Sequence, residues 1–426
     1  MPAEKGRNYI ELTAVFLSLC VGIPPLLLGS ALVARMGLEK AIAATFWGCV
    51  LATPICLLAS HVGTRSRLST GMTLKFAFGG VGAKVISAII AVDMLCWFAM
   101  NTEIFGTSLK YTAASILGTN LNKLAFCALA GVLMTVLTIF GYRSLEKFAF
   151  LVVPVFALVL FTYLIYALAK SSFSEVLARQ ALTQRMSFAT AISIVAGSFI
   201  NISVLLPDYT RYSKSGWHAA TAVIFGLCLG VPLFVLVACY LTAVTGEQDF
   251  VKVMLLQGWG LAAILIVALA CWFHMNACLY SASLNLAAIT RRAAKWKLTV
   301  FAGLVGTTVA LFGIVSRYVP FLIILSVVVP PITGVYTADY LLRRGLYQSA
   351  YLSRFNHFRP LALGALIAGV AVGFMTARRD DMGFGLFSLT YLPAIDSFLV
   401  SFVTQWALGK LVFLRAERGS ETIESA

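Results

Sequence analysis

Apolar runs of about twenty residues recur along the whole chain of 426 residues, and short polar stretches separate them. A helix of that length crosses the hydrocarbon core of a bilayer, which is about 30 Å thick. A helix also satisfies its own backbone hydrogen bonds, as a segment in lipid must. The pattern predicts about twelve transmembrane helices, at about 10–33, 39–62, 83–116, 122–141, 147–169, 187–206, 217–245, 257–290, 297–316, 319–341, 359–376 and 385–414.

We therefore expect an all-α integral membrane protein that forms a single transmembrane domain over residues 1–426. Composition agrees with this, because 60% hydrophobic and 12% charged residues leave too little polar surface for a soluble domain. The residues that follow Leu414 are polar, and we expect them to form a disordered tail, 415–426.

The chain has a net charge of +15, and the positions of its basic residues predict how it is oriented in the membrane. If the N-terminus is cytoplasmic, most of the 32 Lys and Arg residues fall in cytoplasmic loops, as the positive-inside rule requires. We expect a multi-pass protein of a bacterial-type inner membrane with both termini in the cytoplasm. The charge then reflects membrane topology, and no nucleic-acid partner is expected.

Sequence signatures of enzymes and pumps are missing. The chain has no H-E-x-x-H motif, no Walker A loop and no C-x-x-C pair, and it has four histidines in total. We expect no metal, no cofactor and no enzymatic activity. The pattern favours a secondary transporter over an ATP-driven pump.

Two of the apolar runs contain residues that interrupt helices. In the first run, Gly22 precedes Pro24 and Pro25, and the two prolines remove two backbone donors. In the sixth run, we expect a break at Gly197. Five spans separate the two runs, as in transporters built from two repeats of five helices, whose substrate sites lie at broken helices near the midplane. The alternative is that these residues are simple kinks.

Polar residues within the third helix are candidates for function, because ionisable groups in a membrane are costly. Asp93, Trp97 and Asn101 follow each other at intervals of four and share one helix face, which offers a carboxylate, a flat ring and an amide to a planar polar ligand. Glu103 points to a different neighbour. For both acids the alternative is a structural ion pair. A further acid, Asp396 in the last span, has no partner that the sequence identifies.

The eighth helix contributes Trp272 and Asn276 on one face and His274 on another. His274 is either a hydrogen-bonded structural residue or a proton carrier, since histidine titrates near neutral pH. Pairing with Asp93 or Glu103 across helices would create a proton relay.

The sixth helix carries the most recognisable motif, Gly197-Ser198-Phe199-Ile200 followed by Pro207-Asp208-Tyr209-Thr210-Arg211-Tyr212. Three further stretches agree with it: Lys75-Phe76-Ala77-Phe78-Gly79, Leu279-Tyr280-Ser281-Ala282 and Pro330-Pro331-Ile332-Thr333-Gly334. Together they resemble the purine–cytosine permease (nucleobase–cation symporter-1) family, and within it the bacterial cytosine permeases.

The resemblance implies a leucine-transporter-like fold, with a 5+5 inverted repeat and two additional C-terminal helices. Repeat one would cover about 10–169, repeat two about 187–341, and the extra helices about 359–414. It also implies that Trp97 and Phe199 sandwich a heterocyclic substrate, whose two apolar ring faces suit stacking.

Further roles follow from the same resemblance. Ser198, Asn101 and Asn276 are expected to contact the polar edges of the substrate, together with main-chain groups freed at the helix breaks. Asp208 and Arg211, at the cytoplasmic end of the sixth helix, are expected to form a gating or structural ion pair.

The chain departs from the family pattern at two places. Sodium-coupled members carry Trp-Ser/Thr-Thr-Asn on the eighth helix, whose hydroxyls coordinate the ion, whereas this chain has Trp272-Phe273-His274-Met275. Because sodium is a hard cation that prefers oxygen, we expect proton coupling, with Asp93 or His274 as the carrier and Glu103 as a further candidate. Bacterial cytosine permease also has a glutamine where this chain has Met94, so cytosine itself is not assigned.

The expected function is secondary active import of a nucleobase or similar planar heterocycle, cytosine-like or purine-like, by cation symport. One alternative is transport of another heterocyclic metabolite, such as a pyrimidine vitamin precursor or a hydantoin-like compound. Another is a membrane sensor that binds the substrate without transporting it.

Overall fold

The computed structural model describes residues 6–20, 22–117, 122–140, 143–179, 181–182, 186–247, 252, 260–290, 293–355 and 357–424. Regular structure in this part of the chain is helical and includes no strand, which confirms the all-α prediction. Four of its helical segments are long and apolar enough to cross a bilayer by length and composition alone: Leu38–Ser66, Thr70–Tyr111, Gly216–Thr245 and Ile314–Leu342.

The helices follow the order of the predicted spans. The first five spans are Tyr9–Cys20 with Ile23–Met36, then Leu38–Ser66, Thr70–Leu117, Lys123–Phe140 and Arg143–Lys170. Spans six to ten are Phe188–Ser203, then Gly216–Ala222 continued by a π-helix over Val223–Gly230 and by Val231–Thr245, then Gly260–Thr290, Lys295–Leu311, and Tyr318–Val328 with Pro330–Leu342. The last two spans are Pro360–Thr376 and Pro393–Glu424. Short helices at Phe173–Leu177 and Leu206–Thr210 follow the fifth and sixth spans.

The spans pack in two groups. In the first group, spans one and two contact each other and both contact spans six and seven; spans three, four, eight and nine form the second group. The contacts repeat when each span of the first five is replaced by the span five places later, and the reverse. Span two packs on span six, and correspondingly span seven packs on span one. The contacts of span three with nine and of span eight with four are exchanged in the same way.

The interface of the fourth and ninth spans shows this symmetry at the level of single residues. A Cβ at Gly131 would lie 2.1 Å from the hydroxyl oxygen of Thr307, and a Cβ at Gly303 would lie 2.1 Å from that of Thr135. Each glycine stands four residues before the threonine of its own helix, so the two helices exchange identical Gly-Thr pairs. Close approach at small residues is the usual way in which helices associate in a membrane.

The first span is interrupted where the two prolines follow a glycine. One helix ends at Cys20 and the next begins at Ile23, with Gly22 extended between them and a proline in the first turn of the new helix. The Tyr318 hydroxyl of the tenth span donates to the Pro24 carbonyl oxygen at 2.9 Å. This hydrogen bond ties the two spans together at the interruption.

The expectation of a break at Gly197 is wrong. The sixth span is helical from Phe188 through Ser203. The glycine serves packing, because a Cβ at Gly197 would lie 2.3 Å from the Cβ and 2.5 Å from the Cα of Ser326 on the tenth span. The interruption falls further on, between Ser203 and the short helix that begins at Leu206.

The third span contains a kink at Gly79. Gly79 has a φ of 75°, and a Cβ there would lie 1.9 Å from the carbonyl oxygen of His357. Only glycine fits both the backbone angle and this approach. The guanidinium of Arg359 donates to the carbonyl oxygen of Phe76, just before the kink.

The tail also differs from the prediction. The last helix continues to Glu424, so residues 415–424 are helical rather than disordered, and residues 425–426 lie outside the described part. Extending an existing helix adds one hydrogen bond for each residue fixed, without the cost of a new nucleus. A polar sequence can therefore continue a helix that begins in the membrane.

Candidate functional site

The main cavity of the described part lies between the two groups of spans and has a volume of about 170 Å³. Its walls come from the helix that follows the first-span interruption and from spans three, six, seven, eight and ten. Four aromatic residues line it: Trp97, Phe199, Tyr209 and Tyr318. Four polar residues share the lining: Ser198, Asn201, His274 and Ser281.

The size and the lining indicate a small ring compound. An engineered protein cavity of about 150 Å³ is enough to bind benzene. Apolar walls with a few convergent polar groups are typical of small-molecule sites. The lining contains neither Asp nor Glu, so the cavity favours a neutral ligand over a cation.

The Trp97 ring is fixed by its neighbours. It meets the rings of Phe321, Tyr318 and His274 edge to face, with centroids 5.2, 6.3 and 6.3 Å away. Phe199 lines the same cavity from the sixth span and is buried. A flat ring in the cavity would therefore meet aromatic side chains from two helices that are far apart in sequence.

Ser198 and Asn201 present polar groups from the sixth span. The Ser198 hydroxyl donates to the Ile194 carbonyl oxygen at 2.8 Å, so its oxygen lone pairs remain as acceptors. Asn201 was not selected from the sequence as a site residue. Its position three residues after Ser198 was the available signal, because residues at that interval share a helix face.

The amides of Asn101 and Asn276 do not line the main cavity, in contrast to their expected role at the substrate edge. Asn101 is buried and donates to the Trp97 carbonyl oxygen at 2.7 Å. Asn276 accepts from the Thr138 hydroxyl at 2.6 Å and donates to the Trp272 carbonyl oxygen at 3.0 Å. Each amide therefore donates to the carbonyl oxygen four residues earlier in its own helix, and Asn276 also links the eighth span to the fourth.

His274 lines the cavity and lies beside the first-span interruption. A Cβ at Gly22 would be 3.7 Å from the Cβ of His274. Within the described residues, no ion pair joins His274 to Asp93 or Glu103. The relay considered from the sequence is therefore not formed in this conformation.

Glu103, a coupling candidate from the sequence, takes part in contacts between spans. Its Oε1 accepts from the Lys123 ammonium at 2.6 Å, and its Oε2 accepts from the Val315 backbone N–H at 2.8 Å. Both carboxylate oxygens are thus occupied, and the side chain links the third span to the fourth and to the start of the tenth. It does not line the main cavity.

The expected ion pair of Asp208 and Arg211 is not formed among the described residues. The Asp208 carboxylate accepts from the Thr70 backbone N–H at 3.0 Å, at the start of the third span. Burial raises the pKa of Asp208, and hydrogen bonds from Thr70 and the Arg211 charge oppose that rise. Arg211 stacks on the Tyr212 ring at 4.6 Å. Because Asp208 accepts from the first backbone N–H of the third span, it caps the start of that helix.

Asp93 lies behind the main cavity, in a separate cavity of about 10 Å³. The two cavities share Met94, Asn201 and Leu205 in their linings. The side chains of Asn201 and Trp97 are the hydrogen-bonding neighbours of the Asp93 carboxylate. Asp93 therefore contacts residues of the main site without lining it.

Comparison with known proteins places these features in a family context. The profile of a family described as permeases for cytosine/purines, uracil, thiamine and allantoin matches residues 3–393. The cytosine permease of Escherichia coli (strain K12) is 28% identical over 375 residues, which cover 88% of this chain and 87% of the relative. The hydantoin permease of Microbacterium maritypicum is 23% identical, and the match covers 92% of this chain and 86% of that protein.

Solved structures agree on the fold. The inward-facing conformation of Mhp1 aligns with a TM-score of 0.81 at 19% identity, covering 97% of this chain and 94% of Mhp1. Mhp1 in a closed conformation with bromovinylhydantoin bound gives a TM-score of 0.76, also at 19% identity. MhsT in complex with L-phenylalanine aligns with a TM-score of 0.54 at 14% identity, covering 95% of this chain and 98% of MhsT. These likenesses confirm the leucine-transporter-like fold.

Proposed function

Because this chain belongs to the family of permeases for cytosine/purines, uracil, thiamine and allantoin, we propose that it imports a nucleobase or similar planar heterocycle by proton symport. The chain is a transporter and not an enzyme. It is a multi-pass membrane protein, and we place it in the inner membrane with both termini in the cytoplasm, on the distribution of its basic residues.

The observation that carries the proposal is the main cavity. It admits one small ring system, Trp97 and Phe199 supply aromatic faces, and Ser198, Asn201 and His274 supply polar groups. A nucleobase has apolar faces and a polar edge, so it uses both kinds of wall. We propose that the ring lies between Trp97 and Phe199.

The eighth span supports the choice of a proton over sodium. The residue of the eighth span that packs beside Gly22 is His274, and the next residue in the chain is Met275. A ring nitrogen and a thioether are poor ligands for a hard cation. A histidine or a buried carboxylate can instead bind and release a proton, so His274 and Asp93 remain the candidate carriers.

The test is uptake of radiolabelled cytosine into proteoliposomes that contain the purified protein, with proton and sodium gradients imposed separately. Uptake driven by the proton gradient alone is expected, and Trp97→Ala should abolish it. Trp47→Ala is the matched control, because Trp47 is half exposed on the outer surface of the second span. Loss of uptake in both variants would refute a specific role for Trp97, and uptake driven only by sodium would refute proton coupling.

A hydantoin-like substrate is the second candidate, since a hydantoin permease is among the relatives. Competition of cytosine uptake by uracil, adenine, allantoin, thiamine and a 5-substituted hydantoin ranks the candidates. If no compound of this panel is accumulated under either gradient but one of them binds, the sensor alternative replaces transport.

The repeat boundaries are also a proposal, with repeat one at about 10–169 and repeat two at about 187–341. The exchange symmetry of the packing and the Gly-Thr pairs of the fourth and ninth spans support them. A disulfide-trapping experiment between Thr135→Cys and Gly303→Cys, and between Gly131→Cys and Thr307→Cys, should give cross-links of equal efficiency. Cross-linking of one pair alone would contradict the symmetry.

A further inference from the structure

A second, water-sized cavity adjoins the main cavity on the side of Asp93. Its volume of about 10 Å³ is close to the minimum that holds one water molecule. Asp93 from the third span and Asn201 from the sixth supply its polar groups. Leu205, at the interruption after the sixth span, and Val329, at the interruption of the tenth, close it on the other sides. We call this space the Asp93 chamber.

Asp93 is exposed by only 6%, and its Oδ1 has no hydrogen-bond partner among the described residues. No Lys, Arg or His forms an ion pair with it in the described part of the chain. The titratable groups that face it are the thiols of Cys96, on the same helix, and Cys278, on the eighth span. A carboxylate without a cationic partner at membrane depth is costly, and uptake of a proton neutralises it.

The chamber suits a proton better than a metal cation. Hard cations in proteins take about six oxygen ligands, and the chamber offers side-chain oxygens from Asp93 and Asn201 only. Its other side chains are apolar, among them Ile89, Ile90 and Ile332. A carboxyl group with one water needs no further ligands.

Asn201 connects the chamber to the substrate site, because it lines both cavities. An ionised carboxylate only accepts hydrogen bonds, so it turns the amide N–H₂ of Asn201 toward itself and leaves the amide oxygen for the main cavity. A protonated carboxyl group donates one hydrogen bond and favours the opposite orientation of the amide. The polar group offered to the substrate therefore depends on the charge of Asp93.

We propose that Asp93 carries the coupled proton in this chamber and that Asn201 transmits its protonation state to the substrate site. One proton binds to the carboxylate from the outer side and leaves to the inner side in each transport cycle. His274, which faces the main cavity, then acts as a hydrogen-bonding group for the substrate. This inference rests on the proposed function, and it chooses between the two carriers that the proposed function leaves open.

The experiment compares Asp93→Asn with Asp396→Asn in proteoliposomes, using labelled cytosine or, if cytosine is not accepted, the compound of the panel that is. Asp396 is the matched control, because it is fully buried and one of its carboxylate oxygens also lacks a partner among the described residues. Two quantities are measured: accumulation driven by a pH gradient, and counterflow exchange without any gradient. At one proton per substrate, each unit of pH difference supports about tenfold accumulation.

Wild-type protein and Asp396→Asn should accumulate the substrate, whereas Asp93→Asn should reach only equal concentrations on both sides. Counterflow in Asp93→Asn should persist, which shows that the variant is folded and binds substrate. Its substrate affinity should also be independent of pH, in contrast to the wild type.

Gradient-driven accumulation by Asp93→Asn would overturn the inference while leaving the proposed function intact. The inference would also fall if His274→Asn, and not Asp93→Asn, lost gradient-driven accumulation while it kept counterflow. If no compound of the panel were transported by the wild type, the proposed function would fail first, and the inference would fall with it.

Discussion

The carboxylate of Asp339, near the end of the tenth span, joins four parts of the chain, and its removal should destabilise the protein strongly. Its Oδ1 accepts from Arg359 at 3.0 Å and from Gln405 at 2.9 Å, and it also pairs with Arg343. Its Oδ2 accepts from the Tyr347 hydroxyl at 2.7 Å. The variant Asp339→Ala removes all of these contacts and leaves two guanidinium groups without their carboxylate.

The expected loss in free energy of unfolding follows from the burial of the Asp339 carboxylate. The Asp339 side chain is 1% exposed, and those of Arg343 and Arg359 are 22% and 23% exposed. Removal of one partner of a buried ion pair costs about 3–5 kcal/mol, because the remaining charge stays buried without compensation. By contrast, the pair of Lys252 and Glu247 is 46% and 31% exposed at 3.7 Å, and such a pair contributes about 0–1 kcal/mol.

The assay is the apparent melting temperature of the detergent-solubilised protein, followed by tryptophan fluorescence. At an unfolding entropy of about 2.1 cal/mol/K per residue, a loss of 1 kcal/mol lowers the melting temperature of a chain of 426 residues by about 1 °C, so Asp339→Ala should lower it by about 3–6 °C. Lys252→Met is the control and should shift it by less than about 2 °C. Equal shifts for the two variants would refute the reasoning, because the four-part network would then contribute no more than a surface pair.

Three further predictions test single features. Gly197→Ala should lower the free energy of unfolding by about 1–3 kcal/mol, because the added Cβ would overlap Ser326. Adding Ser326→Gly to this variant should recover part of the loss, and an unchanged stability of Gly197→Ala would contradict the packing role. Glu103→Gln should lower the melting temperature, because it removes the charge pair with Lys123, yet leave proton-driven accumulation unchanged; lost accumulation would restore Glu103 as a carrier. Burial and the Asp339 carboxylate hold the pKa of Tyr347 well above its usual range. Near pH 10 the Tyr347 hydroxyl therefore loses its proton only in the unfolded chain, so the free energy of unfolding should fall as the pH rises above about 10. In melting temperatures measured from about pH 8 to 11, Tyr347→Phe should show a smaller fall than the wild type.

The sequence by itself determined the class of fold. Apolar runs of bilayer length leave helices as the structure that satisfies their backbone, and the described helices follow these runs in order along the chain. Helical periodicity also selected residues that share a face, such as Trp97 and Asp93 on the third span. The interruption beside Gly22 was visible because two prolines remove backbone donors there.

Which faces meet was decided only by the tertiary structure. Asn101, Asn276 and Glu103 have the residue types of a polar site, yet none of them lines the main cavity, and Asn276 and Glu103 bind neighbours away from it. Gly197 resembles a helix break in the sequence, but in the structure it lets the sixth span pack closely against Ser326 of the tenth span. A one-dimensional pattern specifies the direction of a side chain around its own helix, but its chemistry depends on the helix that packs opposite, and contacts distant in sequence determine that packing.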